Sequence, residues 1–304
     1  MIPHTLASFE VLVEGKSDGS LAVLKITPTD AEPIHAVAVP QDWCSYTGPT
    51  WVYIIEASDG FTLIDAGSAL AAEHLSHAFG AIGIDRTFVK RVIITHGHSD
   101  HDGGALELAQ NWGVDVWAHA LWDKLRFYDR AVGGGQSHRL VQQALDNDGA
   151  GFDPVDKESL EIEFVQRRQR YRDLRRDVNV ARLIDDGDTE SGLTFYHTPG
   201  HAPDELTIAM RDVLFAGDHI LPEISPHPTL KTSFPSTLRS TLPMRYRVEK
   251  DLYGLDVYLK SLMMIAAMGD EALVLPAHRL LNRGRLNIIT SSRAREIADH
   301  HRER

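Results

Sequence analysis

The chain carries a single cysteine, Cys44, so no internal disulfide can form and the sequence points to a reducing compartment. Cys44 itself reads as a small packed hydrophobe. Long hydrophobic runs are missing too. Trp51 to Ile55 and Val92 to Ile94 are strand-length, far short of the roughly 20 residues needed to cross a bilayer, so no transmembrane helix is expected. Met1 to Glu10 has no basic start leading into an apolar stretch and a small-residue cleavage site, so no secretory signal is read and a cytoplasmic location is expected. Basic residues are in deficit: 31 Lys and Arg against 43 Asp and Glu leave a formal charge of -12. That field repels polyanions and disfavours nucleic acid as a partner. It does not count against a small-molecule substrate, because bound divalent cations would make a pocket locally positive. Internal repeats, low-complexity tracts and long linkers are also absent, which predicts one domain over residues 1–304.

What is present suits a large core: 304 residues, 43% of them hydrophobic. Short β-rich stretches open the chain at Phe9 to Glu14, Leu21 to Ile26, Val52 to Glu56 and Phe61 to Asp65, the last two joined by a turn at Ser58-Asp59-Gly60. Helical spacing follows from Ala69 to Phe79, and then the β-branched run Val92-Ile93-Ile94-Thr95 leads directly into histidines. A helix from Gly104 to Trp112 and a strand from Val114 to Ala118 precede a polar, mostly helical insertion at about 121–180. Strands are expected at Leu193 to His197, Leu206 to Met210, Val213 to Phe215 and Ala272 to Leu275, with a helix around Leu252 to Met268 and a final helix at about 286–304. Mixed strands and helices in both halves predict an α/β class with helices flanking sheets.

The chemistry concentrates in Thr95-His96-Gly97-His98-Ser99-Asp100-His101-Asp102-Gly103-Gly104. Zinc favours neutral imidazole nitrogen and carboxylate oxygen, and a tight turn after a buried strand can aim alternate side chains at one point. Solvated histidines on a surface turn would not need a fully apolar strand leading into them. Three further segments repeat the theme. Thr198-Pro199-Gly200-His201 places a histidine after a strand through turn-forming Pro and Gly. Leu214-Phe215-Ala216-Gly217-Asp218 places an aspartate after an apolar strand and a glycine that permits close backbone approach. Leu275-Pro276-Ala277-His278 ends another apolar strand. Alone each is weak, but together they deliver ligands from strand exits, where ligands gather in open α/β sheets.

The pattern His-x-His-x-Asp-His at His96 to His101, then single His, Asp and His, resembles the metallo-β-lactamase superfamily from about Trp51 to Asn282. Leu63-Ile64-Asp65-Ala66-Gly67 matches that family's strand-end Asp-x-Gly. The resemblance implies an αββα sandwich with two divalent metal ions at one edge between two mixed sheets. It implies His96, His98 and His201 on one ion, Asp100, His101 and His278 on the other, Asp218 bridging them, and Asp65 orienting a ligand imidazole. His219 would stand behind the bridge. Zinc is the expected metal, with Mn²⁺ and Fe²⁺ as alternatives. An aspartate at the bridging position argues against β-lactam hydrolysis and for the glyoxalase II, lactonase and RNA-processing branches. His201-Ala202-Pro203-Asp204-Glu205 and Gly217-Asp218-His219-Ile220-Leu221-Pro222 most resemble glyoxalase II-like hydrolases with a C-terminal winged-helix segment. Two departures stand out: relatives often have His where this chain has Glu205, and their His-His-x-x-Arg helix, compare His300 and His301, runs on into a further domain, whereas the sequence here stops at Arg304.

Two ions about 3.5 to 4 Å apart share a water and lower its pKa toward 7. The expected activity is therefore attack of that hydroxide on an ester, thioester or lactone carbonyl, with Asp100 or Asp218 orienting the water or taking its proton. Phosphodiester cleavage of small substrates and persulfide oxidation at a single iron held by His96, His98 and Asp218 are the competing activities; the full second ligand set argues against the latter. A metal-free binding role is the alternative outside enzymes. Six arginines from Arg167 to Arg176, Arg170 and Arg172 among them, either form a solvated helix face or hold an anionic substrate tail. The insertion, with Gly133 to Gly135 as hinge, is either a cap on the site or a static addition. His74, His77, His119, His197 and His219 have no ligand spacing of their own and read as surface or supporting residues. The final helix, with Ile289, Ile297 and Ala298, is expected to pack on the sandwich; a homodimer through it has no sequence support.

Overall fold

The computed structural model describes residues 4–41, 47–69, 71–128, 154–226, 228, 234–248 and 252–303. Cys44 and the Gly133 to Gly135 hinge lie outside the described residues.

Strand β1 (Leu6–Val13), β2 (Val23–Pro28), β3 (Ile34–Val39), β4 (Thr50–Ala57) and β5 (Gly60–Ile64) run antiparallel in sequence order. Then β6 (Val89–Ile94), β7 (Asp115–His119) and β8 (Val180–Ile184) extend the same eight-stranded sheet in parallel. The change of direction has a local cause. A tight hairpin at Gly60, φ +140°, joins β4 to β5, whereas β5 reaches β6 only through helix α1 (Ala71–Ile82), the crossover a parallel pair requires. Strand β6 is central and buried on both faces at Val92, Ile93 and Ile94, which is why it reads as an unbroken β-branched run rather than an alternating one.

The second sheet holds β9 (Thr189–Glu190), β10 (Leu193–His197), β11 (Leu206–Met210), β12 (Val213–Phe215), β13 (Leu273–Leu275) and β16 (Ile289–Thr290); of these, only β12 and β13 pair in parallel. A small hairpin, β14 (Leu281–Asn282) with β15 (Arg285–Leu286), stands apart from both sheets. Between the sheets, Leu24, Ile26, Trp51, Tyr53, Ile64 and Ile93 meet Phe195, Leu206, Ile208, Phe215 and Leu275. Tyr53 and Phe215 pack with ring centroids 5.4 Å apart.

Each sheet's outer face is covered by helices. Leu75 and Phe79 of α1, with Leu108 of a later helix (Ala105–Trp112), pack on Val37, Val52, Leu63 and Val92. On the far side, Tyr258, Leu262 and Ile265 of the helix Leu255–Ala267 join Ala294 and Ile297 of the last helix, Ser292–Arg302, against Leu214 and Val274. The layers therefore run α, β, β, α, as the resemblance implies. In chain order the described α-helices are α1, α2 (Ser99–Asp102), α3 (Ala105–Trp112), α4 (Ala120–Leu125), α5 (Pro154–Arg176), α6 (Ser236–Thr241), α7 (Leu255–Ala267) and α8 (Ser292–Arg302).

Two differences from the sequence reading are the largest. The last helix begins at Ser292 rather than near Leu286, because Arg283 and Gly284 turn at positive φ and Ile289 pairs with Val274 as a strand. Sheet pairing overrides local helical spacing there. The insertion at about 121–180 is helical in α4 and α5, but its end feeds an edge strand, β8, alongside β7.

Candidate metal centre

The His-x-His-x-Asp-His turn is held in shape by Asp65 at the exit of β5, a non-glycine residue at φ +66°. Its Oδ1 accepts from Thr95 N at 2.8 Å and its Oδ2 from Thr95 Oγ1 at 2.9 Å, which fixes the exit of β6. The His98 carbonyl accepts the backbone N–H groups of both His101 and Asp102 at 3.0 Å, opening the single turn of α2. His101 O in turn accepts from Ala66 N at 2.7 Å. Those contacts aim His96, His98, Asp100 and His101 at one point, and β10, β12 and β13 bring His201, Asp218 and His278 to it from the other sheet.

Candidate ligand atoms of His96, His98, His201 and Asp218 lie within 4.8 Å of one another, and those of Asp100, His101 and His278 form a second such group. His98 Nδ1 is 2.9 Å from His96 Nε2 and 3.1 Å from His201 Nε2. His278 Nε2 is 3.2 Å from Asp100 Oδ2 and 3.2 Å from Asp218 Oδ1, while Asp218 Oδ2 is 3.3 Å from His201 Nε2. Asp218 thus faces both groups. The two groups contain all seven residues that the sequence reading named as ligands, in the division that the family resemblance implies.

The donor set fits cations. His101 Nδ1 stands 2.8 Å from Asp65 Oδ2, and His278 Nδ1 stands 3.0 Å from the Pro49 carbonyl. Both partners only accept, so each Nδ1 carries a hydrogen and each Nε2 is the atom turned inward. Those Nε2 atoms meet the carboxylates of Asp100 and Asp218; His101 Nε2 and Asp218 Oδ1 are buried with no hydrogen-bond partner. Buried carboxylates facing imidazole nitrogens call for positive charge, carried by protons on the rings in the metal-free chain and by cations that would take their place.

The electrostatics agree. Burial pulls His101 down, but Asp100, Asp65 and Asp218 outweigh it and lift its pKa to about 9. His278 is likewise raised well above the ordinary value, since Asp218 and Asp100 overcome its burial. Burial alone would raise Asp100 and Asp218, yet the facing histidines, His101 and His278, hold both below the usual carboxylate range. His96 goes the other way: burial, then repulsion by His101, His98 and His201, lowers it well below 6.5.

Several residues that the sequence reading left aside prop up the candidate ligands. Asp100 Oδ2 accepts from Gln41 Nε2 at 2.9 Å and Thr50 Oγ1 at 3.1 Å. Glu205, noticed only as a departure from the family pattern, is wholly buried between His96 and Asp218. Asp102 ties α4 and α5 to the His96–Asp102 turn: Trp122 Nε1 and Tyr171 OH each donate to it at 2.7 Å, and Arg175 Nε pairs with it at 2.8 Å. Arg175 also lies against Gly97, where an added Cβ would sit 1.9 Å from its guanidinium.

Other named residues sit elsewhere. Arg170 is exposed, and Arg172 is half-buried, with Nη1 3.4 Å from Gln169 Oε1. His219 is buried behind Asp218, its ring edge-on to Tyr258 with centroids 5.5 Å apart, and burial takes its pKa to about 3. His77 is exposed and His74 half-buried. His119 is not at the surface. It is fully buried, stacked on His197 at 4.3 Å, and within 3.0 Å of Tyr246 OH, whose hydroxyl also bonds Asp185. That chain of contacts fastens the segment carrying α6 to the ends of β7, β8 and β10.

A two-sheet sandwich with His and Asp clusters suited to divalent metals at one rim defines a metallo-hydrolase class. The model of the metallo-beta-lactamase superfamily matches residues 45–278, and the chain belongs to that superfamily. It is 26% identical over 251 residues to the probable metallo-hydrolase YqjP of Bacillus subtilis, covering 81% of this chain and 72% of that one. A shorter stretch of 39 residues, 13% of this chain and 18% of the relative, is 44% identical to the hydroxyacylglutathione hydrolase GloC of Haemophilus influenzae. In fold it is similar to a metallo-beta-lactamase family protein of Thermus thermophilus, with a TM-score of 0.59, 20% identity, and coverage of 89% of this chain and 79% of that one. Family and clusters together imply divalent metals. Among the described residues no helix is long and apolar enough to cross a membrane.

Proposed function

We propose that this chain is a dinuclear metal hydrolase that cleaves an ester, thioester or lactone of a small molecule, with zinc as the metal, in the cytoplasm. The observation that carries the reading is Asp218, whose Oδ2 faces His201 at 3.3 Å while its Oδ1 faces His278 at 3.2 Å and His101 at 3.6 Å. One carboxylate between two ligand groups is the arrangement a pair of ions would share. Two divalent cations held there would lower the pKa of a shared water toward about 7 and polarise a carbonyl.

The chain's own groups supply the rest. His96, His98 and His201 would hold one ion, Asp100, His101 and His278 the other, and Asp218 both. Asp100, steadied by Gln41 and Thr50, and Asp218, whose backbone N–H is held by Glu205 at 3.1 Å, are placed to orient the attacking water and take its proton. No Ser or Cys nucleophile is required. The short likeness to a hydroxyacylglutathione hydrolase supports a thioester over other acyl substrates.

The test is a panel of thioesters, esters, lactones, β-lactams and small phosphodiesters offered to the zinc-loaded and the chelator-stripped chain. Turnover of an acyl substrate that vanishes on stripping and returns with zinc supports the reading. Turnover of phosphodiesters alone, or acyl turnover indifferent to chelation, overturns it.

A further inference from the structure

Glu205 carries two contacts that no ligand residue explains. Its side chain is fully buried in the connection from β10 to β11, where its backbone carbonyl accepts from Thr198 N at 2.9 Å. One carboxylate oxygen, Oε1, accepts from the backbone N–H of Asp218 at 3.1 Å. The other, Oε2, makes no hydrogen bond of good geometry and stands 3.3 Å from His96 Nδ1. Room for this carboxylate is made by Gly217, at φ +51°, where an added Cβ would lie 2.5 Å from Oε1. A buried carboxylate with an orphaned oxygen is costly unless something else at the site requires it.

We propose that Glu205 is a positioning residue for the metal centre, setting the ring tautomer of His96 and the backbone position of Asp218 with one carboxylate. The proposal rests on the metal-centre reading above. The logic is one of donors and acceptors. His96 can offer Nε2 to an ion only if its hydrogen sits on Nδ1, and Nδ1 then needs an acceptor. Two are in reach: Thr95 Oγ1 at 3.2 Å, whose own hydrogen is committed to Asp65, and Glu205 Oε2. Oε1 meanwhile must accept from Asp218. A side chain with two oxygens can meet both demands at once, Oε1 toward Asp218 and Oε2 sharing His96 Nδ1 with Thr95 Oγ1. His101 uses Asp65 and His278 uses the Pro49 carbonyl in the same way, so each of the three fully buried ligand rings has an acceptor behind it.

Glu205→Gln separates this role from plain packing. The amide has the same shape but a single acceptor oxygen. If that oxygen serves Asp218, the NH₂ faces His96 Nδ1 and drives the ring hydrogen to Nε2, against the ion. Without metal the ring can take that tautomer freely, so the fold is unaffected. The expected result is a metal-free melting curve matching wild type and zinc affinity, read by competition with a chromophoric chelator, reduced about tenfold or more. Equal zinc affinity in the folded variant overturns the proposal. Nitrogen NMR of the zinc-loaded wild type gives an independent check: His96 is expected to be protonated at Nδ1, and an unprotonated Nδ1 overturns it. Absence of zinc binding by the wild type would instead overturn the metal-centre reading itself, so the two failures are distinguishable.

Discussion

Asp65 Oδ2 lies 2.8 Å from His101 Nδ1 and 2.9 Å from Thr95 Oγ1, while Oδ1 takes the Thr95 N–H at 2.8 Å. One carboxylate therefore sets both the path of the chain out of β6 and the face that His101 shows to the centre. Asp65→Asn keeps the shape but exchanges an acceptor for a donor beside His101. The expected outcome is metal affinity weaker by about 10–100-fold, measured by chelator competition. Unchanged affinity would show that His101 does not depend on this contact.

Proton release should accompany metal binding. A metal ion takes the neutral imidazole, and in the metal-free chain His101 has its pKa raised to about 9. At pH 7 it is therefore protonated, and binding must displace that proton. Affinity rises with pH as His101 and His278 give up their protons. Calorimetry of zinc binding at pH 7, in two buffers of different ionisation enthalpy, should report net release of at least one proton per chain. No release would contradict the arrangement of carboxylates around His101.

Asp102 ties the insertion to the centre without facing it. Arg175→Ala leaves a fully buried carboxylate with Trp122 and Tyr171 as its remaining partners. Loss of one member of a buried pair costs about 3–5 kcal/mol. Urea unfolding should show a loss near the lower figure, because the two neutral donors remain. Tyr171→Phe removes a single donor and should cost about 1–3 kcal/mol. Charge reversal at Arg170, which is exposed, should leave stability unaltered.

Gly97 and Gly80 make a matched pair. At Gly97 an added Cβ would come within 1.9 Å of the Arg175 guanidinium and 3.0 Å of Asp204 Oδ2, whereas at Gly80 in α1 it meets nothing within 4 Å. Gly97→Ala should destabilise by about 1–3 kcal/mol and weaken metal binding with it. Gly80→Ala should stabilise by up to about 1 kcal/mol, the difference in helix propensity. Thermal melts of the two variants decide it; a neutral Gly97→Ala would place Arg175 elsewhere.

How far the sequence discloses this centre depends on where the information resides. The candidate ligands stand out because each follows an apolar strand and most are histidines, a chemistry rare enough to be conspicuous. Asp65 is legible only through the resemblance, as the aspartate of the family's strand-end Asp-x-Gly. Glu205, Gln41, Thr50 and Asp102 are ordinary polar residues whose significance arises only when two sheets and an insertion meet, so no spacing marks them. Arg175 and Tyr171 were visible as members of an arginine-rich helix, but which side of that helix faces inward is settled by Asp102, far away in sequence. Strand β3, flanked by Pro33 and Pro40, is not among the strands read from the sequence, and β14 to β16 are two residues each; all are fixed by pairing partners rather than by local pattern. His119 looked like any unassigned histidine until Tyr246 and His197 closed around it.

The most direct test is metal stoichiometry. Wild-type chain saturated with zinc and freed of excess by gel filtration should retain two ions per chain by elemental analysis. His278→Ala should retain one and lose turnover while still folded. A wild type that retains none, or a His278→Ala variant that retains as much as wild type, would contradict the account.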